Sequence, residues 1–120
     1  MADPKQYTPK FRPGQDVGYR ATADVRAGRI VEVTGDTAVA EAAAGSTKTV
    51  GIAATTVKAG ELLLVMSGGV QRPLASGAIA AGDRVAAAAG GTVATATTAT
   101  IGTAIAAAAN GAQALIKLDK

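Results

Sequence analysis

The sequence predicts an all-β fold, a small β-barrel or sandwich of short strands with an extended N-terminal arm. Three observations carry this expectation. Glycine turns recur at short intervals along the 120 residues. Between them lie strand-length runs of Val, Ile, Leu and Thr, the pattern of a many-stranded β domain. The first part of the chain is interrupted by Pro4, Pro9 and Pro13, which forbid a regular helix there.

Residues 1–15 form the expected arm, and the excess positive charge lies in it and just beyond. Up to Arg29 the chain carries Lys5, Lys10, Arg12, Arg20, Arg26 and Arg29 against Asp3, Asp16 and Asp24, whereas the remainder balances. The aromatic residues, Tyr7, Phe11 and Tyr19, fall in the same stretch. Frayed termini have no reason to collect every aromatic of a protein, and aromatic and Arg side chains are the types that anchor interfaces. Tyr7, Lys10, Phe11, Arg12, Tyr19 and Arg20 are therefore the candidate partner-binding residues.

Residues 16–120 read as a single β domain. Its punctuation is a repeated motif, an apolar residue, any residue, Ala, Gly, a polar residue and an apolar run. The copies are Val25 to Val31, Val57 to Leu63 and Ile79 to Val85. Each leads into a strand and a second glycine turn, at Gly35-Asp36, Gly68-Gly69 and Gly90-Gly91. A second repeat joins Val50-Gly51-Ile52-Ala53 to Ile101-Gly102-Thr103-Ala104, each nine residues from glycine to glycine before Gly60 and Gly111. Glycine supplies the positive φ that tight turns need. The expected strands are Val17 to Ala23, Arg29 to Thr34, Thr37 to Ala40, Thr49 to Ala53, Glu61 to Ser67, Val70 to Leu74, Arg84 to Ala88, Thr92 to Thr95, Ile101 to Ala104 and Ala112 to Leu118. Alanine favours helix, so Ala38 to Ala44 and Ile105 to Ala109 are places where a short helical turn could form.

Composition narrows the function. The chain has no Cys and no His, which removes thiol nucleophiles, imidazole bases, disulfides and the usual zinc ligands. The acids Asp16, Asp24, Glu32, Asp36, Glu41, Glu61 and Asp83 stand singly beside Gly, Lys or Arg, the setting of solvated turn carboxylates. No phosphate-binding glycine loop occurs. The expectation is a protein that is not an enzyme, without cofactor or metal, working by binding a surface. Met1 to Lys10 lacks an apolar signal segment, which points to synthesis in the cytoplasm. The uncharged stretch from Val85 to Ile116 is interrupted by Gly90-Gly91, Asn110-Gly111 and repeated Thr, so no membrane span is expected. Alanine dominates the apolar content, the core is expected to be thin, and a thin core gains from association.

Two local likenesses fail. Val57 to Met66 has the look of the hairpin of biotinyl and lipoyl carrier domains, but its tip, Ser67-Gly68-Gly69, has no lysine to modify. Thr95-Ala96-Thr97 and Thr98-Ala99-Thr100 suggest the threonine rows of ice-binding solenoids, which require many rows at a constant period.

A third likeness spans about Asp16 to Leu118. Gly77-Ala78-Ile79-Ala80-Ala81-Gly82-Asp83-Arg84-Val85, the later Ile101 to Ala104 strand and the final Leu115 to Leu118 strand resemble the head decoration, or capsid cement, proteins of tailed bacteriophages. Ala86 and Ala87 differ from that family, which often carries an aromatic there. The resemblance implies a β-barrel-like domain that forms homotrimers on the outer face of a phage head and bridges major capsid subunits, located in the virion after synthesis in the host cytoplasm. Two rival readings remain. One is a carbohydrate- or cell-surface-binding β module, although the body presents no aromatic platform. The other is a single-strand nucleic-acid binder using the basic arm, whose modest charge is interrupted by acids.

Overall fold

The computed structural model describes residues 17–119. Ten short strands account for its regular structure. They are β1 (Val17–Ala21), β2 (Ile30–Gly35), β3 (Ala38–Glu41), β4 (Thr49–Ala53), β5 (Leu62–Met66), β6 (Val70–Gln71), β7 (Arg84–Ala88), β8 (Thr92–Thr95), β9 (Thr100–Ala104) and β10 (Ile116–Leu118). Each matches an expected strand in place and type. Neither alanine-rich stretch is helical: Ala38–Glu41 is β3, and residues 105–109 contain only bends and one bridge, at Ala108. One 3-10 turn, Ala89–Gly91, sits where a glycine turn was expected. Helix propensity is a weak local preference, overridden here by cross-strand pairing.

The strands divide into two five-stranded units. The first is a closed barrel in the order β1-β3-β2-β4-β5, with β5 pairing back to β1. Its β1–β3 pair is parallel and the other pairs are antiparallel. The second is a five-stranded sheet in the order β6-β10-β9-β7-β8, and an isolated parallel bridge joins Ala75, in the segment after β6, to Val93 on β8. The first barrel has the matching contact, Ala21 lying parallel to Val39.

The two units are copies of one plan. Ala21, Val25 and Gly28 of the first correspond to Ala75, Ile79 and Gly82 of the second, and Ala53, Val57 and Gly60 correspond to Ala104, Ala108 and Gly111. Within each unit the two segments exchange the same backbone bonds. Val25 and Val57 bond reciprocally at 2.9 Å, as Ile79 and Ala108 do at 2.8 and 2.9 Å. Gly28 and Gly60 donate to Ala53 and Ala21, and Gly82 and Gly111 donate to Ala104 and Ala75. The four turn glycines share φ values of +80, +89, +89 and +81, so the four turns are one conformation used four times. The fold thus gives Ala109-Asn110-Gly111, the turn marked by the second repeat, the same form as the three copies of the Ala-Gly motif. The interiors match as well. Ala21, Val25, Val31, Val39, Ala53, Leu63 and Val65 fill the first barrel. Ala75, Ile79, Val85, Val93, Ala104, Ala114 and Ile116 fill the second unit in the same places.

What joins the units is where their sequences part. Ile30 and Ile52 face each other across β2 and β4, and with Ala42 they belong to the core of the second unit rather than the first. Ala87 and Leu118 meet them there, and Ile101 and Met66 pack at the edge. Gly45 and Ala42 bond to Ala87 and Gly91 across the junction at 2.9 and 3.0 Å, and Arg29 Nη1 donates to the Gly90 carbonyl at 2.9 Å. Both Ala86 and Ala87 are buried, at 3% and 4% exposure. With the Gly45 bond landing on the Ala87 carbonyl, the small side chains allow the approach that an aromatic there would block.

The corresponding outer face of the second unit is polar. Arg84 and Thr103 occupy the places of Ile30 and Ile52, in the same register. The Arg84 guanidinium donates to Thr103 and Thr100 at 2.9 Å and grips both Asp119 carboxylate oxygens at 2.8 and 2.6 Å. A stack of identical faces would continue indefinitely, and a polar outer face ends it.

Candidate docking site

The arm residues Tyr7, Lys10, Phe11 and Arg12 lie outside the described residues. Of the six candidates, the structure places two, and it does not bring them together. Tyr19 and Arg20 are neighbours on β1, so their side chains leave opposite faces of the sheet. Tyr19 is half-buried and packs against the interior of the first barrel. Arg20 is exposed, opposite Leu62, and its Nη1 donates to the Gly60 carbonyl at 2.9 Å.

Tyr19 also lines a groove of about 680 Å³ at the junction of the two units. Val50, Ile30, Ile101 and Leu118 supply apolar wall, Thr49, Thr100 and Ser67 supply hydroxyls, and Gly51, Gly68 and Gly69 leave backbone uncovered. Among the described residues its single charged lining residue is Asp119.

A second feature was not singled out in the sequence. Leu62 is 69% exposed and Leu64 49%, side by side along the outer face of β5. Their partners across the β1 pairing are Arg20 and Gly18, and a Cβ built on Gly18 meets nothing within 4 Å. The result is a flat aliphatic surface. The signal was present in Leu62-Leu63-Leu64-Val65-Met66, where an unbroken apolar run on a strand of a one-sided barrel must leave alternate residues outside.

Four carboxylates hold turns. Asp24 accepts from the Ala59 amide at 3.0 Å, Glu61 from Lys58 at 2.7 Å, Glu32 from Ala43 at 3.0 Å, and Asp83 from Ala80 and Thr95 at 3.0 Å. Among the described residues no cluster of acids could hold a metal ion, and no helix is long and apolar enough to cross a membrane.

Glu41 is the most enclosed of the shifted acids. Arg26 donates to it from Nε at 2.9 Å, from Nη2 at 2.9 Å and from its backbone amide at 3.0 Å. These bonds, the guanidinium ones first, hold its carboxyl below the ordinary range against the opposing effect of burial. A folded-state pKa below the unfolded one gives stability that is complete above the unfolded value, about 4.3, and is lost as pH falls through the folded value. Glu41→Gln is therefore expected to lower the urea midpoint near neutral pH, and to lose its effect in strong acid, where wild type also carries a neutral group. Unfolding curves for the two proteins across this pH window check it, and an equal difference at both ends would show that the ion pair contributes nothing.

A model of the phage cement protein family matches residues 11–118. No curated protein matches the chain. Among solved structures, the N base of head fiber gp8.5 of bacteriophage phi29 is similar, with a TM-score of 0.71. That match covers 88% of this chain and 93% of the other at 20% identity, a likeness of fold.

Proposed function

Because the chain belongs to the phage cement protein family, and so is a structural protein of a bacteriophage head, we propose that it binds the outer surface of the head as a homotrimer. There it stabilises the shell by bridging neighbouring major capsid subunits. It acts without catalysis or cofactor, with residues 1–15 as a docking arm and 16–120 as one β domain. The family match carries this reading. Its geometric support is the exposed Leu62 and Leu64 surface, an apolar face on the body. Trimerisation makes weak contacts add, because a second and third attachment act at high effective concentration and raise avidity by roughly 100-fold or more.

The test mixes purified protein with heads assembled without it and measures co-sedimentation, with the trimer checked by sedimentation equilibrium. Phe11→Ala is expected to weaken binding by ~30-fold, the equivalent of about 2 kcal/mol for an interface aromatic. Lys10→Ala is expected to weaken it by less than about fivefold, since an exposed ion pair is worth under about 1 kcal/mol and is screened by salt. A larger loss from Lys10→Ala that vanishes with added salt would make the arm an electrostatic tether and favour a nucleic-acid partner. A monomer at micromolar concentration would remove the bridging mechanism.

A further inference from the structure

We propose that the groove between the two units is the seat of the chain's own N-terminal arm in the free protein, with the Phe11 ring held beside Tyr19, Val50 and Ile101. This does not depend on the shell-binding reading, since it concerns the protein before any partner is met.

The argument starts from where the chain emerges. Val17 is the first described residue and pairs with Val65, two residues before Ser67. The Ser67-Gly68-Gly69 turn is one wall of the groove, and Tyr19 lies on another. The preceding 16 residues therefore enter the fold at the groove's edge. The six steps from Phe11 to Val17 span at most about 20 Å when extended, so the ring can fold back onto the groove it has just passed.

The groove also fits what that segment carries. Its volume of about 680 Å³ lies within the roughly 300–1,000 Å³ of ordinary ligand pockets. The wall is apolar, and the three lining glycines give a neighbouring backbone room to approach. Besides Tyr19, the chain's aromatics are Tyr7 and Phe11, both in that segment. Lys10 and Arg12 flank Phe11, and among the described residues the groove's lining holds no basic residue to repel them. Asp119 at its rim is already shared with Arg84. A tethered segment acts at about millimolar effective concentration, which exceeds the micromolar supply of arms from unassociated copies. Docking in this way keeps the apolar ring out of water until a better partner displaces it.

The experiment uses the full chain carrying Phe11→Trp, which introduces the protein's sole tryptophan. Its emission should be shifted to shorter wavelength than in urea, and the shift should not change with protein concentration. Ser67→Arg and Ile101→Asp, each lining the groove, should move the emission back toward the unfolded value while the β circular dichroism is retained. The chain has no cysteine, so a nitroxide can be placed at will. A label at Thr49→Cys, inside the groove, should quench the indole strongly, and one at Lys58→Cys, beyond the opposite end of β1, should not. This measurement stands even if a groove variant fails to fold. Emission as in urea, or equal quenching from the two labels, would overturn the proposal. A shift that grows with protein concentration would also overturn it, by assigning the groove to a neighbour's arm.

Discussion

Ile30→Ala and Ile52→Ala are each expected to destabilise the protein by about 2–5 kcal/mol, the range for removing a large aliphatic side chain from a core that relaxes only in part. Both residues are all but fully buried, at 1% and 2% exposure. Their position makes them more informative than an interior residue of either unit. They belong to the strands of the first unit and to the core of the second, so the cavity opens in the contact between the two. If residues 16–120 behave as one domain, unfolding in urea stays a single transition whose midpoint falls. Two separated transitions in either variant would show that the two units are independent and held by this patch. Arg84→Ala, on the corresponding face of the second unit, is the control. Its side chain is exposed and its ion pair with Asp119 lies at the surface, so only a small effect is expected.

The second large effect is expected at two glycines that the duplication relates. Gly51 and Gly102 hold the same place on β4 and β9, and each faces the backbone of the strand alongside. A Cβ on Gly51 would overlap the Met66 carbonyl oxygen and stand 2.9 Å from Val65 Cγ1. A Cβ on Gly102 would stand 2.5 Å from the Lys117 carbonyl oxygen and 2.8 Å from Ile116 Cγ2. The obstacle in both is backbone, which cannot rotate away. Gly51→Ala and Gly102→Ala should each cost about 3 kcal/mol, the upper end of what overpacking a core costs. Gly18→Ala, with open space around it, should stay within about 0.5 kcal/mol of wild type. Thermal or urea unfolding of the three variants checks the contrast. A Gly102→Ala protein as stable as Gly18→Ala would show that β9 and β10 can move apart, and that the second unit is looser than the first.

These two glycines also show how far the sequence could be read. Val50-Gly51-Ile52-Ala53 and Ile101-Gly102-Thr103-Ala104 are recognisable as a repeat from spacing alone. That their glycines are fixed by a crossing strand is not, because Met66 and Lys117 are 15 residues further on in each case. The fourth turn departs from the motif for a chemical reason, and only the second repeat, which sets Gly111 beside Gly60, points to it. In Ala108-Ala109-Asn110-Gly111 the apolar position is alanine and the residue before glycine is asparagine, so it lacks the Val-x-Ala-Gly signature while making the same bonds. The candidate site was legible only in part. The concentration of aromatics near the start is plain in the sequence, but that Tyr19 takes the inner face of β1 and Arg20 the outer follows only once β1 is paired on both sides.

The sequence by itself determined the all-β class, the number and place of the strands and the turns between them. Those depend on local chemistry: β-branched and aliphatic runs fit a pleated strand, and glycine alone takes positive φ at little cost. Only the tertiary structure decided that the strands form two copies of one plan, which outer face is covered and which is left to water. Ile30 and Ile52 read in the sequence like any other strand residues, and Arg84 and Thr103 like any other polar ones. Their roles as junction and cap arise from pairings between residues far apart in the chain, where burial depends on what packs alongside rather than on what precedes or follows.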